Sequence, residues 1–428
     1  MWSNERVNSP GDDGMRILQV HNMYRPGWGG EDTVADLEAD LLRENNHEVE
    51  RLSVWTGELD GANIFKIIGA GFGTVWSFRG YRLMWKAIER FHPNLVHVHN
   101  FFPLLSPSIY WAANGAGIPV VQTLHNYRLT CANALLLRND RTCQECVGRF
   151  PWSALRYRCH SSSFFRTLAV TSMNVFHRWA NTYQTKVQAY IALTQFSKEI
   201  LIRAGLPREK IFVKPNFTPD PGKLIGLRSR RVVYAGAINR AKGVHLLLQA
   251  WTLLALPGYQ LVILGDGPDR EMLQRRYSGD VSIQWLGSQP RNTVLEYMAT
   301  SEWLTLPSLA YENFAMSVLE AFSVGTPVIV PGHGSLGAIV SNRQDGLHFS
   351  PGDDASLANT LRLALTASPS QWAEWSAGSR LKYLREMTAK SNYEQLMSIY
   401  QGAIKCFGGG AACSRWQNGY TDQNLGES

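Results

Sequence analysis

The stretch Tyr311–Ile329 reads YENFAMSVLEAFSVGTPVI. It follows the apolar run WLTLP (303–307). Apolar positions then recur at helical spacing from near Phe314, Gly325-Thr326-Pro327 interrupts the helix, and PVIV (327–330) reads as the next strand. A strand, a helix and a strand with no polar alternation in the strands predict a parallel sheet covered on both faces. Glu312 stands just before the helix and Glu320 inside it. Eight helical residues span about 12 Å at about 1.5 Å each. Carboxylates that flank one glycosidic bond lie about 5–9.5 Å apart, so this pair suits the two ends of a longer polar ligand. Between them the N–H groups of Phe314, Ala315, Met316 and Ser317 are expected to lack helical partners at the positive end of the dipole, a ready anion site. A diphosphate there, with hydroxyl-bearing groups on either side, describes a nucleotide sugar. A cap-region acid at Glu312 and a surface residue at Glu320 would read the same way.

The same alternation runs through the chain in both directions. MRILQV (15–20), EVERLSV (48–54), NLVHVH (94–99), PVVQT (119–123) and AYIALT (189–194) read as strands separated by helices, the first from Glu31 to Asn45. Lys210–Pro221 is proline-rich and reads as a linker. RVVYAG (231–236), YQLVILG (259–265), Val281–Trp285, Trp303–Leu306 and Pro327–Val330 restart the pattern, with helices at Val244–Leu254 and Arg270–Tyr277. The chain turns helical from Asp354 onward. The expected fold is α/β: two tandem doubly wound Rossmann-like domains, 15–213 and 222–390, with an interdomain cleft. Ligands in such sheets bind beyond the carboxyl ends of the strands.

Further motifs fall at those strand ends. Lys242, in YAGAINRAKGVHLLL (234–248), offers a point charge to phosphate, although a lone lysine beside a helix start is ordinarily just solvated. Gly265 opens GDGP (265–268), where a tight turn permits close backbone approach. Gly29 and Gly30 lie in PGWGG (26–30), but the dinucleotide fingerprint G-x-G-x-x-G is absent. His125 lies just past a strand end. No D-x-D triplet occurs, so a metal-chelated diphosphate is not supported. Lys242, the helix dipole and backbone N–H groups are left to neutralise a leaving diphosphate. Cys131, Cys143, Cys146 and Cys159, spaced C-x11-C-x2-C-x12-C, offer a structural zinc site or four unliganded thiols, cytosolic disulfides being unexpected.

YENFAMSVLEAFSVGTPVI resembles the E-x7-E signature of GT-B retaining glycosyltransferases of family 4 type, and the likeness extends from about Met15 to Tyr400. It implies that Glu312 contacts the donor sugar, Glu320 the nucleotide ribose, and His125 the donor sugar from across the cleft. Gly29 and Gly30 match a glycine pair lining the cleft, and Gly265 lies beside the nucleotide. Lys242 and Gly243 match the segment G-R-x4-K-G, but Ala237 replaces its arginine; Arg240 is the candidate substitute. Ala315 stands where glycine is usual. The donor site is thus expected to comprise Asn313, Phe314, Ala315, Met316 and Ser317 with both glutamates. The resemblance also implies metal-independent catalysis, a front-face displacement, and a helix at 391–405 crossing back to the first domain. Similar bacterial chains carry a cysteine-rich insert, here 128–165.

The 428 residues, 45% hydrophobic and 18% charged, provide for more than one core. The net charge of +7 invites an anionic partner, but no compact lysine run or zinc-finger spacing supports nucleic acid. Seven arginines between Arg138 and Arg178 face only Asp140 and Glu145, which reads either as a solvated basic face or as a surface for phosphate or lipid headgroups. Trp76, Phe78, Arg79, Tyr81, Arg82, Trp85 and Lys86 fit either membrane-surface docking or an ordinary amphipathic helix. There is no apolar run of membrane-spanning length, and the polar N-terminus lacks a signal-peptide core, so a cytoplasmic location, with or without peripheral contact at the inner membrane face, is expected. Residues 406–428 read as a disordered tail. The expected partners are a UDP- or GDP-sugar donor and a saccharide or lipid-linked acceptor. The alternatives are a UDP-sugar epimerase of the same fold and a catalytically weak nucleotide-sugar-binding protein.

Overall fold

The computed structural model describes residues 14–23, 30–59, 73–222, 228–254, 256–407 and 413. In the first lobe the elements run β1 (Arg16–Met23), α1 (Gly30–Glu44), β2 (Glu48–Trp55), α2 (Phe78–Phe91), β3 (Leu95–Asn100), α3 (Ser108–Gly115) and β4 (Val120–Leu124). An insert follows, with the hairpin β5 (Leu137–Arg138) and β6 (Arg141–Thr142), then α4 (Trp152–Arg156) and α5 (Phe164–Trp179). The lobe closes with α6 (Thr182–Thr185), β7 (Ala189–Ala192), α7 (Gln195–Arg203) and β8 (Ile211–Val213). Its sheet is parallel, ordered β2-β1-β3-β4-β7-β8.

The second lobe runs β9 (Ser229–Ala235), α8 (Val244–Leu254), β10 (Gln260–Leu264), α9 (Arg270–Arg276), β11 (Ile283–Gly287), α10 (Arg291–Ala299) and β12 (Ser301–Thr305). It continues with α11 (Met316–Ser323), β13 (Val328–Pro331), α12 (Gly334–Ile339) and β14 (Gly346–Phe349). The helices α13 (Asp354–Leu365), α14 (Pro369–Glu386) and α15 (Ala389–Phe407) finish the chain. This sheet too is parallel, ordered β11-β10-β9-β12-β13-β14. Two parallel α/β domains facing each other are a GT-B fold.

The strands are apolar runs because helices cover both faces: β3, β4, β7 and β13 are buried along their whole length. Helix starts follow side-chain chemistry. Ser77 caps α2 by accepting from Gly80 N–H, and Thr194 caps α7 by accepting from Ser197 N–H. Several sequence expectations shift. β8 lies inside the expected linker, and β14 (GLHF) was not expected; three- and four-residue strands are too short for periodicity to show. The strand expected at Val281 begins at Ile283, because Val281 is 97% exposed. The helix expected to end at Lys405 runs to Phe407, and Cys406 is joined to Cys413 in a disulfide, against the expectation of reduced cysteines. The rest of the tail and residues 60–72 lie outside the described residues.

α15 packs on the first lobe. Leu396, Ile399, Tyr400 and Ala403 join Ile17, Leu95, Val121 and Ile191 in one buried cluster. Full burial of such side chains contributes about 1.5–3 kcal/mol each, which fastens the end of the chain to its first sheet. Tyr393 and Tyr400 add hydroxyl contacts to His47 (2.9 Å) and His97 (2.7 Å).

Candidate active site

In both sheets the strand order reverses beside the first strand, between β1 and β3 and between β9 and β12. Loops leaving the carboxyl ends diverge at such points and open a crevice. The two crevices face each other across a cavity of about 460 Å³ lined from both lobes. The walls come close at Gly30, where a Cβ would lie 3.1 Å from Cγ of Met316.

The second lobe supplies the charged wall. After β9 a short turn, Arg240–Lys242, is capped by Asn239, and Gly243 follows at φ 72°. A Cβ on Gly243 would meet Pro307 O at 1.9 Å, so only glycine lets this loop lie against the β12 loop. That contact brings Lys242 Nζ to 2.8 and 2.9 Å from the two oxygens of Glu312, while Ser308 Oγ donates to Glu312 at 2.6 Å. At the far side Arg291 Nε donates to Glu320 at 2.9 Å. Burial raises the Glu320 carboxyl, and Arg291 partly offsets that. Gly265, at φ 135°, lies so close to Gly236 O that a Cβ would come within 1.9 Å, and both glycines line the cavity.

The helix start differs from the sequence reading. α11 begins at Met316, with Ala315 extended (φ −91°, ψ 110°) as its cap and no capping side chain. Val318 N–H already reaches Ala315 O (3.1 Å), so the cavity-lining free amides of the first turn are Met316 and Ser317. Glu312, Phe314 and Ala315 belong to the loop, and all three still line the cavity. The Ala315 methyl packs in the second-lobe core. Asn313 is not a cavity residue: buried, it donates to Leu124 O and accepts from Ser197 Oγ, stitching the lobes together. Arg240 is also elsewhere. Its guanidinium pairs with Asp140 of the insert (2.8 Å), so it does not replace the cation missing at Ala237.

The first-lobe wall is nearly uncharged. His125 lines the cavity, and its Nε2 lies 3.0 Å from Nδ1 of His99. Burial, and then the neighbouring His99, hold the His125 imidazole well below its usual range; His99 itself is pulled down to about 3 by burial and His97. Both rings are therefore neutral at pH 7. Beneath them Glu38 is sealed with Lys214 (3.1 Å) and His97 (3.0 Å). Burial pushes the Glu38 carboxyl up, but Lys214 and His97 overcome it and hold the group well below the usual range. Glu31, in the first turn of α1, lines the cavity with Oε1 buried and unpartnered. Burial, reinforced by Asp32, pushes its carboxyl up to about 8, against Arg128 and Asn126. Gly29 lies outside the described residues.

Sequence reasoning missed Glu31, Asn216, Ser288 and Gln289, all of which line the cavity. The visible signal for Glu31 was a Glu-Asp pair directly after the glycine pair. Ser288 and Gln289 carry only the general one of a strand-end loop.

Cys131, Cys143, Cys146 and Cys159 are free thiols of the insert, and burial raises three of them, Cys131, Cys146 and Cys159. Zn–S bonds of about 2.3 Å would bring four sulfurs to about 4 Å of one another. Among the described residues the donor group gathered within 4.8 Å is Glu38, His97 and His99, and the cysteines form no such group. As placed, the thiols do not fit a closed zinc site. The histidine group already holds the Lys214 ammonium against its carboxylate.

The family model "Glycosyltransferase Family 4" matches residues 28–219, and "Glycosyl transferases group 1" matches residues 221–379. Curated relatives include a glycogen synthase of Mycobacterium tuberculosis, 32% identical over 139 residues, covering 31% of this chain and 33% of that protein. A D-inositol 3-phosphate glycosyltransferase of Corynebacterium urealyticum is 28% identical over 191 residues, covering 41% and 44%. The match thus spans less than half the length of these relatives. Solved structures of like fold include Anabaena HepE in complex with UDP and glucose (TM-score 0.63, 17% identity, 90% of this chain and 99% of that one). Sucrose-phosphate synthase of Thermosynechococcus elongatus is another (TM-score 0.66, 16% identity, 91% and 99%). With one family model on each lobe and the crevices meeting at α11, the chain belongs to the GT-B glycosyltransferases of family 4 type.

Proposed function

We propose that the protein is a metal-independent retaining hexosyltransferase that moves a sugar from a UDP- or GDP-sugar to a saccharide or lipid-linked saccharide acceptor. One observation carries this reading: a single cavity is lined by the Lys242–Glu312 pair, by Glu320, whose carboxylate Arg291 holds from behind, and by the open start of α11. The base lies toward Ser288 and Gln289, the ribose hydroxyls at Glu320, and the diphosphate against Met316 and Ser317 N–H and Lys242. The sugar lies between Glu312 and His125. The anion draws Lys242 away from Glu312, freeing that carboxylate to accept from sugar hydroxyls. Neutral His125 exchanges a hydrogen bond with the sugar without opposing positive charge at its anomeric carbon.

In the reaction the bond from the anomeric carbon to the diphosphate oxygen breaks, and its electron pair leaves with the diphosphate. The acceptor oxygen bonds to that carbon on the same face, and its proton passes to the departing phosphate. Lys242 and the helix amides stabilise the charge as it develops. Glu31, protonated at pH 7, holds the acceptor hydroxyl from the first-lobe side. The test is a panel of nucleotide sugars read by nucleoside-diphosphate release, with and without saccharide or lipid-extract acceptors. Release that rises with acceptor, with the donor anomeric configuration retained, supports the reading. An altered sugar without acceptor indicates an epimerase, and binding without release indicates a binding protein; either overturns it.

A further inference from the structure

The insert turns an apolar face outward. On α5 the residues packed inward are Thr167, Val170, Thr171, Met173, Asn174 and His177. The opposite stripe, at helical spacing, is Phe165, Leu168, Val175, Phe176 and Trp179, with Phe165 80% and Trp179 79% exposed. A surface helix ordinarily keeps its apolar stripe for the core; α5 buries Val170 and Met173 there and exposes a second apolar stripe on the other side. Phe150 and Leu155 close one side of the stripe into a groove of about 350 Å³, and Trp152, 69% exposed, packs at a tilt against Phe150. Trp76 reaches the edge of the stripe at Phe176 and packs on the inward His177, whereas Tyr81 and Trp85 of α2 are used against α3.

The insert is cationic. The insert's two acids are already spent, Glu145 on Arg138 and Asp140 on Arg240. Arg141, Arg149, Arg158 and Arg166 are exposed and pair with no acid among the described residues. A stripe of aromatic and aliphatic side chains on a segment with uncompensated arginines, Arg149 next to Phe150 and Arg166 next to Phe165 in the chain, matches an interface that is apolar inside and anionic at its surface. A second copy matches it poorly, since both inserts would bring arginines together with no acids left to receive them.

We propose that this face, built from α4 and α5, docks the protein on an anionic lipid bilayer. The aromatic side chains enter the headgroup boundary and the arginines meet lipid phosphates. The proposal stands apart from the glycosyl-transfer reading, because none of these residues lines the catalytic cavity.

The experiment is co-sedimentation of the full chain with vesicles of phosphatidylcholine alone and of phosphatidylcholine mixed with phosphatidylglycerol, at low and high salt. Binding is expected only to the mixed vesicles and should weaken with salt. F165S/W179S and R149E/R158E/R166E should each weaken it at least about tenfold. Both should keep the far-UV circular dichroism and donor-dependent diphosphate release of the parent, since the side chains changed point away from the protein. Indifference to vesicle charge, or unchanged binding by both variants, overturns the proposal. So does a dimer in solution that F165S/W179S dissociates while vesicles leave it intact: the occupant is then a second copy.

Discussion

Two lysine–glutamate pairs in this protein have nearly the same length and opposite surroundings. Lys214–Glu38 is 3.1 Å long with both side chains 1% exposed; Lys242–Glu312 is 2.8 Å long with its partners 30% and 13% exposed at the cleft. A sealed pair cannot trade partners, because removing either charge strands the other in a dry interior. A pair at the wall of a cavity exchanges partners when an anion arrives. The sealed pair therefore serves the fold, holding α1, β3 and the residue after β8 together beneath the first-lobe wall. In the proposed function the open pair serves the ligand.

This contrast predicts a crossover. Lys214→Met should cost about 3–5 kcal/mol of stability in urea melts, the magnitude for breaking one partner of a buried pair. Lys214→Met with Glu38→Leu should cost less than the single change, because no charge is stranded. Catalysis per folded molecule should change little. Lys242→Ala and Glu312→Ala should do the reverse, each lowering turnover at least about a hundredfold, about 2.7 kcal/mol of barrier, with melting nearly unchanged. A large stability loss in the open pair, or a turnover loss confined to the sealed one, would break the distinction.

Smaller effects sharpen the contrast within the cleft. Glu320→Ala should raise the donor KM about tenfold, worth about 1.4 kcal/mol, with a lesser change in kcat, because ribose contacts are shared by ground and transition states. Glu31 gives a pH signature. Its folded pKa of about 8 lies above the ordinary 4.5, so the protonated form stabilises the fold fully below 4.5 and that stability is lost as pH rises through 8. Glu31→Gln should flatten the alkaline fall of the melting temperature. His99 works with the other sign: its folded pKa of about 3 lies below 6.5, so stability falls as pH drops from 6.5 toward 3. Chelation by EDTA should leave turnover unchanged, measured as diphosphate release after dialysis.

Much of the architecture was legible because parallel strands buried on both faces must be apolar end to end, and helices must separate them. RVVYAG and YQLVILG announce themselves that way; GLHF at β14 is too short to do so. The glutamates and Lys242 were legible through motif spacing. What spacing does not carry is how other groups spend their hydrogen bonds. Asn313 and Arg240 read as donor ligands, yet both bridge the lobes, a fact of tertiary contact. The start of α11 moved because Ala315 adopts an extended conformation that its residue type does not announce. Glu31 reads as an acid favoured by the helix dipole, and only its burial at the cavity wall, which no motif announces, raises its carboxyl.

In the proposed function everything turns on a diphosphate at the start of α11. A crystal structure with a bound UDP- or GDP-sugar tests it most directly. Diphosphate oxygens are expected within about 2.7–3.2 Å of Met316 and Ser317 N–H and of Lys242 Nζ, with Lys242 drawn off Glu312. A diphosphate bound elsewhere, with Lys242 still on Glu312 and the helix start untouched, would contradict it.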